Sequence, residues 1–533
     1  MAVGLELASR PADGKGPSDY STQVHDQEEL GRVGKKEVLK RRFGFLSIVG
    51  FSCTILATWE GLLSTFTVPF ENGGPAGTVY GFIVVWAGTI STLTTLSEMV
   101  SMAPTAGGQY HWVSMMSPKW CQKYLSYLTG WLIVIGWLGA FVSTIYLCAS
   151  QIQGLVVLNY PDYVATQWQT VLMYWGMMAV AVFVNAVVST LLPKVESFVL
   201  ILHIVGFFAI IIPLLTLGER NSTEEVFTTF TNDGGFATEG LSFLVGMMGS
   251  MFAFTGADAA VHMSEEIHNA ARVVPQSIII SAFLNGALGF GIILSTLYTM
   301  TNVDAAINSA TGYPFMEIFY NATGSKAGST VMSAIVPIMS SAGSIGSLAS
   351  SSRMVWSFSR DRGLPGWRFF SRVNSKAVPQ YSILVVTVFA FLLGLIILGS
   401  SAVLNDVISL AVSALYSSYL IACALLLWKR CAGGIRPASE APIDVIVNTP
   451  GAPLAWGPFY ISGVLGIAVN AFTVAYLIVG VFFSFWPDEV NPTVNSMNWA
   501  VVGTAGTCMI STIYYIFWGH RIYTGPVVEI DLS

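Results

Sequence analysis

Long apolar stretches alternate with short polar segments along the chain between residues 45 and 519. Each stretch is long enough, at a rise of about 1.5 Å per helical residue, to cross about 30 Å of hydrocarbon. The pattern predicts twelve membrane-spanning helices, near residues 45–69, 77–100, 124–150, 169–192, 195–217, 241–262, 275–300, 328–356, 381–399, 404–428, 457–486 and 498–519. We therefore expect an all-α integral membrane protein.

Polar segments divide this pattern into five parts. Residues 1–43 and 520–533 are tails, and residues 429–456 form a linker after the tenth span. The remaining parts are a core at 44–428 and a pair of helices at 457–519. The first tail lacks the apolar stretch of a cleavable signal, so we expect the first span to direct insertion and the tail to be disordered.

The composition agrees with a membrane protein. Of 533 residues, 53% are hydrophobic and only 10% are charged, whereas a soluble domain has about 25% charged residues. The formal net charge is −6 and the basic residues are scattered, which gives no indication of a nucleic-acid partner. The six cysteines show no CxxC spacing, so the sequence predicts neither a disulfide framework nor a metal site, and no cofactor.

The distribution of basic residues predicts the orientation. A basic cluster at 35–42 precedes the first span, which places both tails in the cytoplasm by the positive-inside rule. Only Arg220 and Lys326 then fall outside the cytoplasmic segments. The two glycosylation sequons, at Asn221 and Asn321, both lie in loops predicted to be outside, so these asparagines are candidate glycosylation sites.

Two spans contain glycine clusters together with an acidic residue. The first span contains the run Gly50 to Thr54 followed by Glu60, and the sixth contains Gly246 and Gly249 before Asp258. An offset of five spans means that the two helices enter the membrane from opposite sides, as in transporters built from inverted repeats with discontinuous helices at the substrate site. The alternative is ordinary close packing of helices through small residues.

Two long motifs resemble a known family. Residues 96–112 (LSEMVSMAPTAGGQYHW) resemble the loop after the second helix of fungal amino acid/choline permeases, which include γ-aminobutyrate permeases. Residues 254–266 (FTGADAAVHMSEE), with Asn269, Arg272 and Pro275, resemble the end of helix six and the following linker of the same family. The resemblance extends over the chain except for its tails and places it in the amino acid/polyamine/organocation superfamily.

The resemblance implies a five-plus-five inverted repeat, followed by two extra helices, with substrate between broken helices one and six. Transferred by position, the breaks and the substrate-binding residues are Gly50, Phe51, Ser52, Cys53, Thr54, Phe254, Thr255, Gly256 and Ala257. Their free backbone amides would hold a substrate carboxylate. Trp59 and Phe254 border the breaks and could cover a substrate ammonium group by cation–π contact, although aromatic residues in spans usually serve packing.

Three titratable residues are candidates for proton coupling or for binding a substrate ammonium group. Glu60 follows the first break and Asp258 follows the second, and carboxylates inside a membrane are costly unless they have a function. Glu60 could instead lie near the outer interface, and Asp258 could cap the second half of helix six. His203 lies on the fifth span, where it could carry a proton or simply be hydrogen-bonded within the bundle.

These features predict a secondary transporter and not an enzyme. The chain has no GxxxxGK[ST] loop for nucleotide and no HExxH motif. The resemblance implies a proton-coupled transporter of the plasma membrane for an amino acid, γ-aminobutyrate, choline or a related small nitrogenous compound. Two alternatives are an exporter of a nitrogenous specialised metabolite and a nutrient sensor that does not transport.

Overall fold

The structure is a computed structural model, and it describes residues 26–160, 162–399, 403–437, 446–494 and 496–530. Within these ranges the chain is helical, and its β-structure is limited to two isolated bridges, Phe43 with Ile267 and Arg436 with Ala455. The predicted all-α class is confirmed for this part of the chain.

The helices are named here in chain order. The first half contains α1 (26–32), α2 (Phe45–Leu56), α3 (Thr58–Ser64), α4 (Thr67–Glu71), α5 (Gly74–Met102), α6 (Gln109–Met116), α7 (Gln122–Asn159), α8 (Gln167–Ala186), α9 (Leu192–Leu217), α10 (Thr223–Thr228), α11 (Glu239–Ala253) and α12 (Ala259–His262). The second half contains α13 (Ala270–Thr299), α14 (Val303–Ile307), α15 (Pro314–Thr323), α16 (Lys326–Arg360), α17 (Trp367–Phe370), α18 (Gln380–Ile396), α19 (Val403–Cys431), α20 (Gly463–Phe483), α21 (Ala500–Tyr514) and α22 (His520–Ile522). Short 3₁₀ turns lie at Ser189–Leu191 and Ser264–Glu266, and a π-helical turn joins α21 to α22.

Among the described residues, 10 helical segments are long and apolar enough to cross a membrane. They coincide with ten of the twelve predicted spans, and the first of them combines α2 and α3. At the predicted sixth and ninth spans the structure has shorter apolar helices, α11 and α18. The sixth is short because the chain breaks after Ala253.

The long helices form a bundle around the two short helices that follow the breaks. Helix α5 packs against α13, α7 packs against α16 and α19, and α2 packs against α9. Hydroxyl groups inside the bundle bond to the preceding helical turn, as Thr92 does to Gly88 O at 2.8 Å and Thr95 to Ser91 O at 3.0 Å. Because the lipid core offers no water, this bonding allows polar residues to lie within apolar spans.

Both tails meet at one end of the bundle, which we call the tail face. There the Gly34 carbonyl accepts a hydrogen bond from the Glu529 amide at 2.7 Å, and Phe43 pairs with Ile267. We call the opposite end the vestibule face, after the wide cavity that is described below. There the Asp233 amide donates to Glu71 O at 2.9 Å, close to Asp488. The tails therefore lie on the same side of the bundle.

The expected disorder of residues 1–43 is wrong for the part that the structure describes. Residues 26–32 form α1, and Lys35 is buried with its ammonium group 2.5 Å from Asp361. The Arg41 guanidinium also donates to Ile267 O. These contacts order the segment because its basic groups find partners on the bundle; residues 1–25 lie outside the described part of the chain.

The two candidate glycosylation sites differ in their surroundings. The Asn221 amide donates to Leu297 O at 3.0 Å and to Met300 O at 2.9 Å, so its nitrogen is already bonded. Asn321 is exposed near the end of α15. Asn321 is therefore the more accessible of the two, and its glycosylation stays a prediction.

Candidate functional site

The first helix break lies at Ala57. This residue has a left-handed backbone conformation (φ 41°, ψ 44°), and it separates α2 from α3. The Thr58 amide, which would otherwise bond within the helix, donates to the side-chain carbonyl of Asn285 at 3.2 Å. Asn285 of α13 thus stabilises the interruption.

The predicted break at Gly50–Thr54 is wrong, because these residues are helical within α2. A Cβ atom on Gly50 would lie 2.6 Å from Glu196 O of α9, so only glycine allows the two helices to approach so closely. The Thr54 hydroxyl donates to Gly50 O at 2.8 Å. This small-residue cluster serves helix packing, which was the alternative interpretation.

The second break lies at residues 254–258, between α11 and α12, and its predicted position is confirmed. Gly256 has a φ of +96°, a conformation that side chains with a Cβ rarely adopt. A turn with this geometry ends α11 and lets the chain restart as α12 at Ala259.

A small cavity of about 50 Å³ lies between the two breaks. Its lining comes from α2, α3, α7, the end of α11, the two breaks and α16: Ile55, Leu56, Ala57, Glu60, Gly61, Ser64, Trp137, Ala140, Thr144, Leu147, Phe252, Ala253, Thr255, Gly256, Ser340, Gly343 and Ser347. Of the predicted site residues, only Glu60, Thr255 and Gly256 line it. We call this the central cavity.

The other predicted binding residues lie elsewhere. Phe51, Ser52 and Cys53 are buried in α2 and do not line the central cavity. Phe254 and Ala257 line a second, smaller cavity beside Tyr416 and Tyr419.

Trp59 packs on its neighbours in α9, with ring centroids 5.7 Å from His203 and 6.5 Å from Phe207. The expected cation–π role of Trp59 and Phe254 is therefore not supported by their positions, because neither ring lines the central cavity.

Several cavity residues were not predicted. Trp137 of α7 supplies the aromatic wall, and Ser340, Gly343 and Ser347 of α16 supply a face of small residues. The sequence carries a signal for α16, since residues 339–347 form a run rich in serine and glycine. Trp137 has no such signal, because it is one of 15 tryptophans in the chain.

Glu60 and His203 form a buried pair beside the central cavity. His203 Nδ1 lies 2.7 Å from Glu60 Oε1, and both side chains are at most 1% exposed. Glu60 Oε2 and His203 Nε2 have no hydrogen-bond partner among the described residues. The proposed solvated position of Glu60 near the outer interface is thus wrong, and one carboxylate oxygen remains available for a ligand.

Asp258 lies on the tail side of the second break and does not line the central cavity. Its carboxylate accepts hydrogen bonds from Gln109 at 2.7 Å and from the Tyr419 hydroxyl at 2.6 Å, and His262 Nε2 lies 3.3 Å away. It makes no side-chain bond to the amides of α12, so the capping alternative is not supported. Asp258 instead ties the start of α6 to α19.

A vestibule of about 450 Å³ adjoins the central cavity on the vestibule face, and Ser64 lines both spaces. Gln151 of α7 donates to the Ser64 hydroxyl at 2.7 Å and accepts from Ser340 at 3.4 Å. These neutral hydrogen bonds join α3, α7 and α16 across the boundary between the two spaces. We call them the serine–glutamine bridge.

The tail face is closed by buried ion pairs. Lys35 contacts Asp361 at 2.5 Å, Arg360 contacts Glu265 at 2.6 Å, and Arg353 contacts Glu266 at 2.7 Å. The first pair joins the amino-terminal tail to the end of α16, and the other two join α16 to the segment after the second break. In this conformation the layer of protein between the central cavity and the vestibule is therefore thinner than the layer between the central cavity and the tail face.

Comparison with known proteins identifies the family. Residues 43–507 match the family model described as amino acid permease. The chain belongs to the amino acid permease family. This is the family group to which the two sequence motifs pointed, so that prediction is confirmed.

Curated relatives of this permease cover nearly all of the chain. A choline transporter of Saccharomyces cerevisiae is 27% identical over 93% of this chain and 85% of its own. An amino-acid permease of Arabidopsis thaliana is 28% identical over 95% and 96%, respectively. A transmembrane transporter of Metarhizium robertsii is 27% identical over 91% and 93%. The permease thus spans the length of its relatives, which are named for transport.

Proposed function

We propose that this permease is a proton-coupled secondary transporter of a small nitrogenous compound, such as an amino acid, γ-aminobutyrate or choline. The observation that carries the proposal is the central cavity between the two helix breaks, which contains Glu60 paired with His203. The relatives named as a choline transporter and as amino-acid permeases support this substrate range.

The proposal includes a topology of twelve spans with both tails in the cytoplasm of a plasma-membrane protein. Helices α11 and α18 would complete the ten long spans, because α11 continues as α12 after the second break and α18, with 17 residues, is long enough to be a short span. The packing of α5 on α13 and of α7 on α16 supports an inverted repeat, since each pair joins equivalent spans of the two halves.

Substrate binding would use charge and an aromatic wall. Glu60 is the one ionisable residue among the described lining residues, so the cavity offers a negative group without a competing lysine or arginine. We expect a substrate ammonium group to contact the free Glu60 Oε2 and to lie near Trp137. A substrate carboxylate would bond to free amides at the breaks.

Proton coupling would use His203. A proton on this imidazole turns its hydrogen bond with Glu60 into an ion pair and changes the negative charge that the carboxylate offers to the cavity. Substrate binding and protonation are then linked through one carboxylate. The linkage is confined to the pair, because both groups are buried away from bulk water.

Access would alternate between the two faces. Opening the serine–glutamine bridge connects the central cavity to the vestibule and breaks only neutral hydrogen bonds. Opening the opposite side requires the ion pairs at the tail face to separate. We expect substrate to enter from the vestibule and to leave between α2 and the segment after the second break.

The decisive experiment is uptake of labelled choline, γ-aminobutyrate and representative amino acids by permease-deficient cells that express the chain, with and without a protonophore. Accumulation of one compound that the protonophore abolishes supports the proposal. Absence of uptake despite normal surface expression would contradict it and favour export of a specialised metabolite or nutrient sensing.

Variants of the pair test the mechanism. Glu60→Gln removes one charge-assisted contact, which is equivalent to roughly a tenfold to hundredfold loss of uptake at low substrate concentration. His203→Ala should retain binding but lose protonophore-sensitive accumulation. Glu224→Gln, an exposed carboxylate in α10, is the matched control and should transport normally. Normal accumulation by His203→Ala would remove His203 from the mechanism.

A further inference from the structure

The structure contains another cavity, of about 400 Å³, which shares no lining residue with the central cavity. It lies between α7, α16, α18 and α21, and its walls are almost entirely apolar, with Leu138, Val355 and Val386 among them. Helices α18 and α21 present exposed apolar residues beside it, such as Phe389 and Ile510. The cavity therefore opens toward the region that the lipid acyl chains occupy.

The loop between α16 and α18 forms the end of this cavity at the tail face. Leu364, Pro365 and Phe370 line the cavity, while Arg362 and Arg368 of the same loop are exposed. An apolar surface thus ends at a pair of cations, at the level where a membrane has its headgroups.

The loop arginines differ from the two arginines of α16 that precede them. Arg353 and Arg360 are buried in ion pairs with Glu266 and Glu265. Arg362 and Arg368 have no ion pair among the described residues; each guanidinium instead lies 5.3 Å from the Trp367 ring centroid. Topology control explains a positive charge here, but not two guanidinium groups held on one indole beside an apolar cavity.

A hydrogen-bond donor near the cavity adds a polar requirement. The Ser351 hydroxyl belongs to a lining residue and has no hydrogen-bond partner among the described residues. A ligand that fits all these features has an apolar chain, acceptor oxygens next to it and a negative headgroup. An anionic glycerophospholipid has this arrangement, with acyl chains, ester carbonyls and a phosphate in that order.

We propose that this cavity binds one anionic glycerophospholipid, with an acyl chain between α7, α16, α18 and α21 and its phosphate on Arg362 and Arg368. Arginine is suited to this contact because its planar guanidinium donates to two phosphate oxygens at once. The site is separate from the central cavity, and its occupant contacts α16, a helix that lines both.

The test uses the full-length protein purified in detergent and titrated with phosphatidylglycerol, with phosphatidylcholine of the same acyl chains and with glycerol phosphate, read by native mass spectrometry and by Tm. We expect phosphatidylglycerol to bind and raise Tm more than phosphatidylcholine, and glycerol phosphate to have no effect. Equal effects of the two lipids would overturn the proposal, and so would an equal effect of glycerol phosphate, which would indicate a phosphate site without an acyl chain.

Variants separate the site from general surface charge. R362Q/R368Q should weaken phosphatidylglycerol binding roughly tenfold or more, and Val386→Trp, which fills the cavity, should weaken both lipids. The control K119Q/R436Q removes the same charge from exposed positions at the tail face. An equal loss in this control would overturn the proposal, because binding would then reflect only the charge of the surface.

Discussion

The carboxylates of the tail face lie beside basic groups, whereas those of the vestibule face lie beside other carboxylates. Burial alone would raise the pKa of Asp361, but Lys35 and Arg360 lower it below its ordinary value of 3.8. At the vestibule face, burial and the neighbouring acids Glu71 and Glu489 raise the pKa of Asp488 to about 6. The pKa shifts of these two carboxyl groups therefore have opposite directions at the two faces.

This difference predicts which closure depends more on a single side chain. Buried ion pairs lie across the tail face, while neutral hydrogen bonds lie between the central cavity and the vestibule. A net hydrogen bond contributes about 1 kcal/mol, whereas removing one partner of a buried ion pair costs about 3–5 kcal/mol because the other charge is left buried and unpaired. We therefore expect loss of a single side chain to open the tail face more than the vestibule side.

The largest effect is expected from Asp361→Asn. The substitution leaves the Lys35 ammonium buried without a charged partner, which should destabilise the closed state by about 3–5 kcal/mol. Labelling of a cysteine at Ser347, in a background without Cys121, Cys431 and Cys508, should become faster from the tail face.

The control for this experiment is Glu28→Gln, an exposed carboxylate of the same tail. Replacing both partners, as in K35M/D361N, should restore part of the closure because no unpaired charge remains. If Asp361→Asn labels at the wild-type rate, the ion pair does not hold the face closed.

Asp258→Asn should have the next largest effect, because this buried carboxylate binds Gln109 and Tyr419. A hydrogen bond to a charged group contributes about 1.5–3 kcal/mol, so its loss should loosen the segment between the second break and the tail face. Uptake and its pH dependence should both change at equal surface expression. Unchanged values for both would show that Asp258 has no role in transport or coupling.

Gln151→Ala tests the closure made of neutral hydrogen bonds. It removes both hydrogen bonds of the serine–glutamine bridge, each worth about 1 kcal/mol. The Ser347 cysteine should then be labelled faster from the vestibule face, with no change from the tail face. Gln167→Ala, at an exposed glutamine of α8, is the control, and faster labelling from both faces would show a general loosening instead.

The smallest effect concerns the pH dependence of stability. Because the folded-state pKa of Asp488 is raised to about 6, the folded state retains this proton while the unfolded chain loses it near the ordinary value. Stability is therefore lost as pH rises between these two values, and the loss is complete above the folded pKa.

Asp488→Asn should remove that loss, so the variant should gain Tm relative to wild type at pH 7 and gain little at pH 4. The exposed Asp304→Asn gives the reference curve. A Tm difference between Asp488→Asn and wild type that does not vary with pH would contradict the assignment.

Sequence patterns predicted the second break better than the first because the two glycine clusters have different physical roles. Position 256 requires glycine because of its own backbone angle, which is a local property. Position 50 requires glycine because α9 lies so close to it, and that contact depends on how the helices pack. The first break instead falls at Ala57, a residue that seldom adopts a left-handed conformation and is stabilised here by distant Asn285.

The candidate site shows the same division. Glu60 and His203 were separately predicted as functional because ionisable groups in a membrane are costly. Their contact joins residues 143 positions apart, which no local pattern contains. Trp137 was missed because an aromatic side chain in a span looks the same in sequence whether it faces a cavity, a helix or lipid.

The sequence by itself determined that this protein is helical, where most spans lie, and which family it belongs to. These properties follow from apolar length, from the distribution of charge and from two long motifs. Tertiary structure alone decided which residues line the central cavity, how the two faces are closed and where the loop arginines lie relative to an apolar cavity. Apolar length and charge act on each segment independently, whereas cavities and ion pairs depend on side chains that meet only after the helices pack.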